Sequence, residues 1–195
     1  ECNIINVEET INMNLMIDLE TMGTKSDSII TQIGLVLFDR DKIVSEFKVN
    51  VDINDSIRRG LSVEGDTLYW WLKQSDEARK SIYSGKKLTC KEATLQIYDW
   101  LKQNGITNQD DAKDLLVWGN GSDFDNVIFA NFLVKSGGKV FWKFWNNRCF
   151  RTALTLTPSV VRVQPKVAHD ALEDAKAQAL TLIGIWKNEK SSLRH

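Results

Sequence analysis

Three consecutive strand-like segments followed by three helical ones constrain the fold of this chain more than any other feature. Residues 14–19, NLMIDL, alternate with period two. Leu15, Ile17 and Leu19 project to one side, and Met16, Asp18 and Glu20 to the other. ITQIGLVLFD and KIVSEFKVN, separated by the polar link Arg40-Asp41, then read as a β-hairpin. An antiparallel hairpin beside the first strand argues for a mixed sheet and against a dinucleotide-binding fold. No GxGxxG or Walker loop occurs, and Gly119-Asn120-Gly121 is too short and lacks the lysine. A nucleotide cofactor is therefore not expected.

The next segment, DINDSIRRGLSVEGD, shows no clear periodicity and reads as a long connection. Asp66 and Ser75 are candidate caps for two short helices, TLYWWLKQ and DEARKSIY. From Lys91 to Gln103 apolar residues fall at 93, 95, 97, 98, 100 and 101, a helix ended by Asn104-Gly105. Asp114 to Trp118 predicts a short buried strand. A glycine-rich turn then opens the helix DFDNVIFANFLVKS, which Gly137-Gly138 stops. A final strand is expected within residues 140–150, and an amphipathic helix from about 170 to 188. Both prolines, Pro158 and Pro165, lie in one late loop. The order β-β-β-α-α-α-β-α-β-α gives an α/β sheet layered by helices.

At 195 residues and 43% apolar content the chain can build one sizeable core. A single domain is expected over residues 13–190, with residues 1–12 an extension upstream of Met13 and 191–195 a tail that includes His195. The first dozen residues lack a signal-peptide pattern, and no run approaches ~20 apolar residues, so a membrane partner is not expected. Cys2, Cys90 and Cys149 form no CxxC pair and no zinc spacing with His169 and His195, which fits reduced thiols in a cytoplasmic protein. Most of the seven tryptophans should be core, leaving a few as surface stacking platforms.

A net charge of −1 hides a strong asymmetry. Between Asp125 and Asp170 there is no acidic residue, but there are Lys135, Lys139, Lys143, Arg148, Arg151, Arg162 and Lys166. Such a stretch suits a polyanion held against one region, although a solvated basic face would read the same.

Against that cationic stretch stand four carboxylates and a histidine: Asp18 and Glu20 in NLMIDLETMG, Asp125 in WGNGSDFD, and His169 with Asp174 in VAHDALEDA. Gathered in one cleft, the carboxylates would hold two hard divalent cations, Mg²⁺ or Mn²⁺, better than Zn²⁺. Two such ions ~4 Å apart activate water and stabilise a leaving oxygen, which is the equipment for cutting a phosphodiester bond. Asp18 would bridge them, Glu20 and Asp174 would complete one shell, and Asp125 would serve the other. His169 carries an imidazole, which suits the role of base. Each residue also has a plainer reading. Ser122-x-x-Asp125 resembles a helix capping box, Asp170 and Glu173 could cap the last helix, and His169 could bond a backbone carbonyl.

In these segments the chain resembles a DEDDh exonuclease of the ribonuclease H-like superfamily, with its DxE, FD and H-x4-D motifs. It is most similar to the branch containing phage exonuclease A, exodeoxyribonuclease VIII-like proteins and Rv2179c-like 3′-5′ exoribonucleases. The segments that carry the likeness are IDLETMG, TLYWWLKQSDEAR, FWNNRCFRT and VAHDALEDAKA. The resemblance implies a ribonuclease H-like five-stranded mixed β-sheet flanked by helices and two Mg²⁺ or Mn²⁺ ions. It implies 3′→5′ removal of nucleotides, with Asp18, Glu20, Asp125 and Asp174 as metal ligands and His169 as general base. Many superfamily members carry Asn four residues before the second-motif Asp; here that position is Gly121, beside Asn120.

The implied partner is a nucleic acid with a free 3′ end, single-stranded at that end, with DNA favoured over RNA and the host cytoplasm as the location for a phage-type protein. Trp70 or Trp71, with Tyr69 a lesser candidate, would pack near the terminal base, although adjacent helical positions diverge by ~100° and one should be core. Arg148 or Arg151 would grip a phosphate. The alternatives are an exoribonuclease of the same fold, a ribonuclease H-type endonuclease and a non-catalytic nucleic-acid-binding module.

Overall fold

The computed structural model describes residues 13–192; the expected extension 1–12 and His195 lie outside them. The first three strands, β1 (Asn14–Thr21), β2 (Ile30–Phe38) and β3 (Ile43–Val51), form an antiparallel meander. They are followed by α1 (Ile53–Arg58), α2 (Gly65–Leu72), α3 (Asp76–Tyr83), β4 (Lys87–Leu88) and α4 (Cys90–Gln103). Then come β5 (Leu116–Gly119), a π-helical turn (Ser122–Asn126) and α5 (Val127–Lys135). A 3₁₀ turn (Phe144–Asn146), β6 (Asn147–Cys149), α6 (Phe150–Leu156) and α7 (Ala171–Ser192) complete the order.

The sheet runs β4-β3-β2-β1-β5-β6, with β5 parallel to β1 and β6 parallel to β5. It is mixed, as expected, but six-stranded rather than five. The addition is β4, which pairs only Lys87 and Leu88 with Asn50 and Val51. Two residues carry no period-two signal, so this strand was not legible in the sequence.

Helices cover both faces, which is why β1 and β2 are buried along their whole length. Leu15, Ile17, Leu19, Ile33 and Leu35 meet Ile97 and Leu101 of α4 and Phe129 and Phe132 of α5. Met16, Val36 and Phe38 meet Phe150 and Leu154 of α6 and Ala175, Ala179 and Leu182 of α7. The alternation of residues 14–19 thus sorts these side chains between two cores, and Asp18 and Glu20 share the α7 face with Met16.

Two helices arise where none was expected. Asp52 caps α1 by accepting from the Asn54 N–H at 2.8 Å, a one-turn signal too short for periodicity. Helix α6 directly follows the edge strand and is held by Phe150 and Leu154 packing on α7. Ser75 caps α3 as predicted. Asp66 does not cap α2: the helix starts at Gly65, and Glu64, at the cap position, gives its carboxylate to the Thr24 hydroxyl at 2.9 Å instead. Among the described residues no helix is long and apolar enough to cross a membrane. Cys90 is a buried free thiol and Cys149 a half-buried one.

Candidate active site

The last turn of β1 delivers Asp18 and Glu20 to the end of the sheet. Asp18 lies opposite Gly34 of β2 in the antiparallel register. A Cβ on Gly34 would sit 2.2 Å from the Ala171 carbonyl oxygen and 2.5 Å from the Leu172 nitrogen. The backbone of the first turn of α7 therefore lies directly on the sheet, and Asp174 follows on that turn. Buried Gln32 secures the approach: its Oε1 accepts from the Ala171 N–H at 2.7 Å, and its Nε2 donates to Asn50 Oδ1 at 2.9 Å and the Ser81 carbonyl at 3.0 Å.

His169 precedes α7 in the left-handed backbone region, with φ of 61°. That conformation is uncommon for a residue with a side chain and persists only where its surroundings enforce it. Its N–H donates to Asp174 Oδ2 at 2.9 Å, its carbonyl accepts from Ser81 Oγ at 2.7 Å, and its ring meets Trp70 edge-on at 5.0 Å. The capping alternative applies to Asp170, whose Oδ1 accepts from the Glu173 N–H at 3.3 Å and which pairs with Lys48. Asp174 faces the cleft.

Asp125 sits in the π-helical turn, a geometry that frequently marks functional sites. Its Oδ2 accepts from the Gly121 N–H at 3.2 Å. Gly119 makes room: a Cβ there would lie 2.4 Å from Asn126 Oδ1 and 2.8 Å from Asp125 Cβ. The capping-box alternative fails, because the cap position is Gly121, which has no side chain, rather than Ser122.

Together these elements line a cleft of about 840 Å³ that contains Asp18, Glu20, Asp125, His169 and Asp174. Trp70, Trp71, Arg151, Asn120 and Gly121 line it too. Trp71 is core as well, 4% exposed with its indole N–H on the Thr21 carbonyl at 2.9 Å, whereas Trp70 is 43% exposed. Tyr69 and Arg148 are not part of the cleft wall. Tyr69 faces solvent, and Arg148 Nη1 donates to the carbonyls of Trp145 at 2.8 Å and Asn147 at 2.9 Å. Among the cleft residues that the sequence did not single out, one touches a candidate ligand directly. Gln178, one turn beyond Asp174, donates through Nε2 to Asp18 Oδ1 at 2.6 Å, a position identifiable only by its i+4 spacing.

Crowding of acids in a buried place perturbs all four carboxyls. Asp18 is held well above its ordinary value by burial first, then by the charges of Asp125, Glu20 and Asp174. Burial, then Asp174 and Asp170, push Glu20 up to about 8. Burial pushes Asp125 up to about 6, although backbone N–H groups of Gly121 and Asn120 oppose it. Asp174 is also raised, by burial first.

Such a cluster fits a divalent cation. Glu20, His169 and Asp174 each offer a ligand atom, all within 4.8 Å of one another. Gln178 Oε1, buried beside them, has no hydrogen-bond partner among the described residues. The donors are predominantly hard oxygens, as Mg²⁺ or Mn²⁺ prefers.

Because the folded state keeps the carboxyl protons above the pH at which the unfolded chain releases them, stability falls as pH rises through the window. For Glu20 that window runs from its ordinary 4.5 to about 8. A bound cation replaces the protons and removes the penalty. Millimolar Mg²⁺ or Mn²⁺ should therefore raise the melting temperature by several degrees at pH 8 and much less at pH 5, with ~2.7 kcal/mol available at a hundredfold excess over Kd. Equal shifts at the two pH values in a thermal scan would show that these carboxyls do not bind the ion.

The model of the 3′-5′ exoribonuclease Rv2179c-like domain matches residues 13–186. The chain belongs to that family. It is thus a member of a 3′-5′ exonuclease family, a class of hydrolase acting on phosphodiester bonds. An exodeoxyribonuclease of Enterobacteria phage T4 is 25% identical over 206 residues, covering 87% of each chain. Among solved structures, the zinc ion bound form of E. coli ExoI with ssDNA is similar at a TM-score of 0.63 and 14% identity, over 93% of this chain and 42% of that one. The present chain spans less than half of that protein. The nuclease domain of 3′hExo, a DEDDh family member bound to rAMP, is similar at 0.59 and 14% identity, over 93% and 95% of the two chains. At these identities the two structures speak for the ribonuclease H-like fold alone.

Proposed function

We propose that this exonuclease removes nucleotides from a free, single-stranded 3′ end by two-metal hydrolysis, with DNA preferred to RNA. The observation that carries the reading is the convergence of Asp18, Glu20, Asp125 and Asp174 beside His169 in one cleft with an exposed indole and a guanidinium. The four carboxylates would hold the divalent ions, Mg²⁺ or Mn²⁺, whose chemistry there would be activation of water and neutralisation of charge at the leaving oxygen.

The protein's own groups do the remaining work. His169 accepts the proton of the attacking water, and the Asp174 carboxylate bonded to its backbone N–H keeps the ring over the cleft. Trp70 presents a π-face to the terminal base. Arg151 meets a substrate phosphate, and Gln178 orients Asp18. The preference for DNA rests on the phage relative, an exodeoxyribonuclease. The family description, which names exoribonucleases, supports RNA as the second reading.

The test is digestion of matched 5′-labelled DNA and RNA, single- and double-stranded, with Mg²⁺ or Mn²⁺. A ladder descending by single nucleotides, faster on single-stranded DNA and abolished by chelation, is expected. Internal fragments would assign an endonuclease, activity surviving chelation would remove the metal mechanism, and faster loss of RNA would reverse the sugar preference.

A further inference from the structure

The acid-free stretch contains a repeated dipeptide, Phe141-Trp142-Lys143-Phe144-Trp145, whose halves have opposite fates. Phe141 and Trp142 are 7% and 3% exposed and pack on Phe129. Phe144 and Trp145 are 79% and 59% exposed, edge to face at 4.9 Å. Two adjacent exposed rings carry a desolvation advantage that the fold itself does not use.

The turn that presents them is tied down on every side. Asn146 is buried and donates to the Lys113 carbonyl at 2.7 Å. The Trp142 indole N–H donates to Asn147 Oδ1 at 2.9 Å, and Arg148 donates to the Trp145 carbonyl. The rings therefore stand on a preorganised platform. Their neighbours in the chain are Lys143 and Arg148, and among the described residues none of the seven cations between Asp125 and Asp170 enters an ion pair.

Topology links this platform to the cleft. Strand β6 is the outermost strand and runs parallel to β5 and β1. Its Cys149 end therefore lies at the same end of the sheet as Asp18 and Glu20, and Arg151, two residues on, lines the cleft. Phe144 and Trp145 precede the opposite end of the same edge strand. With ~2.0 Å per residue through the 3₁₀ turn and ~3.3 Å per residue along β6, Trp145 to Cys149 spans roughly 11 Å, about three stacked nucleotides at ~3.4 Å each.

We propose that the single strand upstream of the bound 3′ end runs along the β6 edge, with bases stacking on Phe144 and Trp145 and phosphates tracking Arg148 and Lys143. This rests on the nuclease reading above and extends it from the terminal nucleotide to a distal subsite. Stacking on aromatic faces combined with backbone-tracking cations is how proteins hold single strands without sequence preference. The rival occupant of an exposed aromatic pair, a second copy of this chain, is less suited to a segment that carries only positive charge.

The experiment compares the parent with the double variant Phe144→Ala/Trp145→Ala on dT12 and dT3. Binding of labelled dT12 in chelator, read by anisotropy, should weaken about tenfold for each base that loses its ring. With metal, KM for dT12 should rise similarly while kcat and the KM for dT3, too short to reach the platform, stay unchanged. Unchanged dT12 binding would overturn the proposal. So would a fall in molecular mass by sedimentation with dT12 affinity intact, which would make the patch a self-association surface. A parent that binds dT12 but never cuts it would instead defeat the nuclease reading while leaving the platform in place.

Discussion

Replacing Gly34 by alanine should lower kcat/KM by on the order of a hundredfold, although residue 34 lies in the sheet and carries no reactive group. The added methyl would meet the Ala171 backbone at 2.2 to 2.3 Å, and a helix backbone cannot rotate away as a side-chain tip can. Helix α7 must then lift off β2, and it carries Asp174 with His169 at its start. A displacement near 1 Å in reacting groups costs about 10² in rate. Overpacking of this kind costs about 1–3 kcal/mol, which for a chain of this size lowers the melting temperature by roughly 2–12 °C.

Gly184→Ala in the same helix is the matched control, since no atom of the described residues lies within 4 Å of its missing Cβ. It should retain activity and gain about 0.5–1 kcal/mol from the better helix former. If Gly34→Ala kept kcat/KM within twofold of the parent, close contact at Ala171 would not be what positions Asp174.

The contrast between these glycines marks the limit of what the chain reveals in one dimension. Period-two alternation at residues 14–19 placed Asp18 and Glu20 on one face, and the hairpin at Arg40-Asp41 gave the meander, because both are local patterns with a buried consequence. The approach of α7 to Gly34 is a contact between positions 137 apart, and nothing near Gly34 announces it. The same holds for Gln32, a polar residue on a buried strand whose purpose appears only when Ala171 and Ser81 arrive beside it. Arg148 and Arg151 were indistinguishable as letters. The end of β6 separates them, turning one to the Trp145 carbonyl and leaving the other at the cleft. Likewise Trp70 and Trp71 divide because one helical step rotates one indole onto the Thr21 carbonyl and the other into the opening.

Asp18→Asn should abolish turnover, by on the order of 10³ or more, and at the same time make the metal-free protein more stable. Both effects have one cause. Asp18 lies buried among Asp125, Glu20 and Asp174, and its carboxyl is held well above its ordinary value by burial first and by those charges next. Ionising it without a cation is therefore unfavourable, and a neutral amide of the same shape removes that cost. The amide oxygen can still accept from Gln178 Nε2, now 2.6 Å from the carboxylate, so the packing has no reason to change. What disappears is the charge available for a cation, and losses of principal transition-state contacts are of this size. The signature to measure is a double one: a melting temperature above the parent's at pH 8 without metal, and a smaller rise on adding Mg²⁺. Activity and stability moving in opposite directions would identify Asp18 as a residue kept for chemistry at a cost in folding. If Asp18→Asn retained turnover, the two-metal mechanism would be wrong. If it lost turnover and stability together, the residue would be structural.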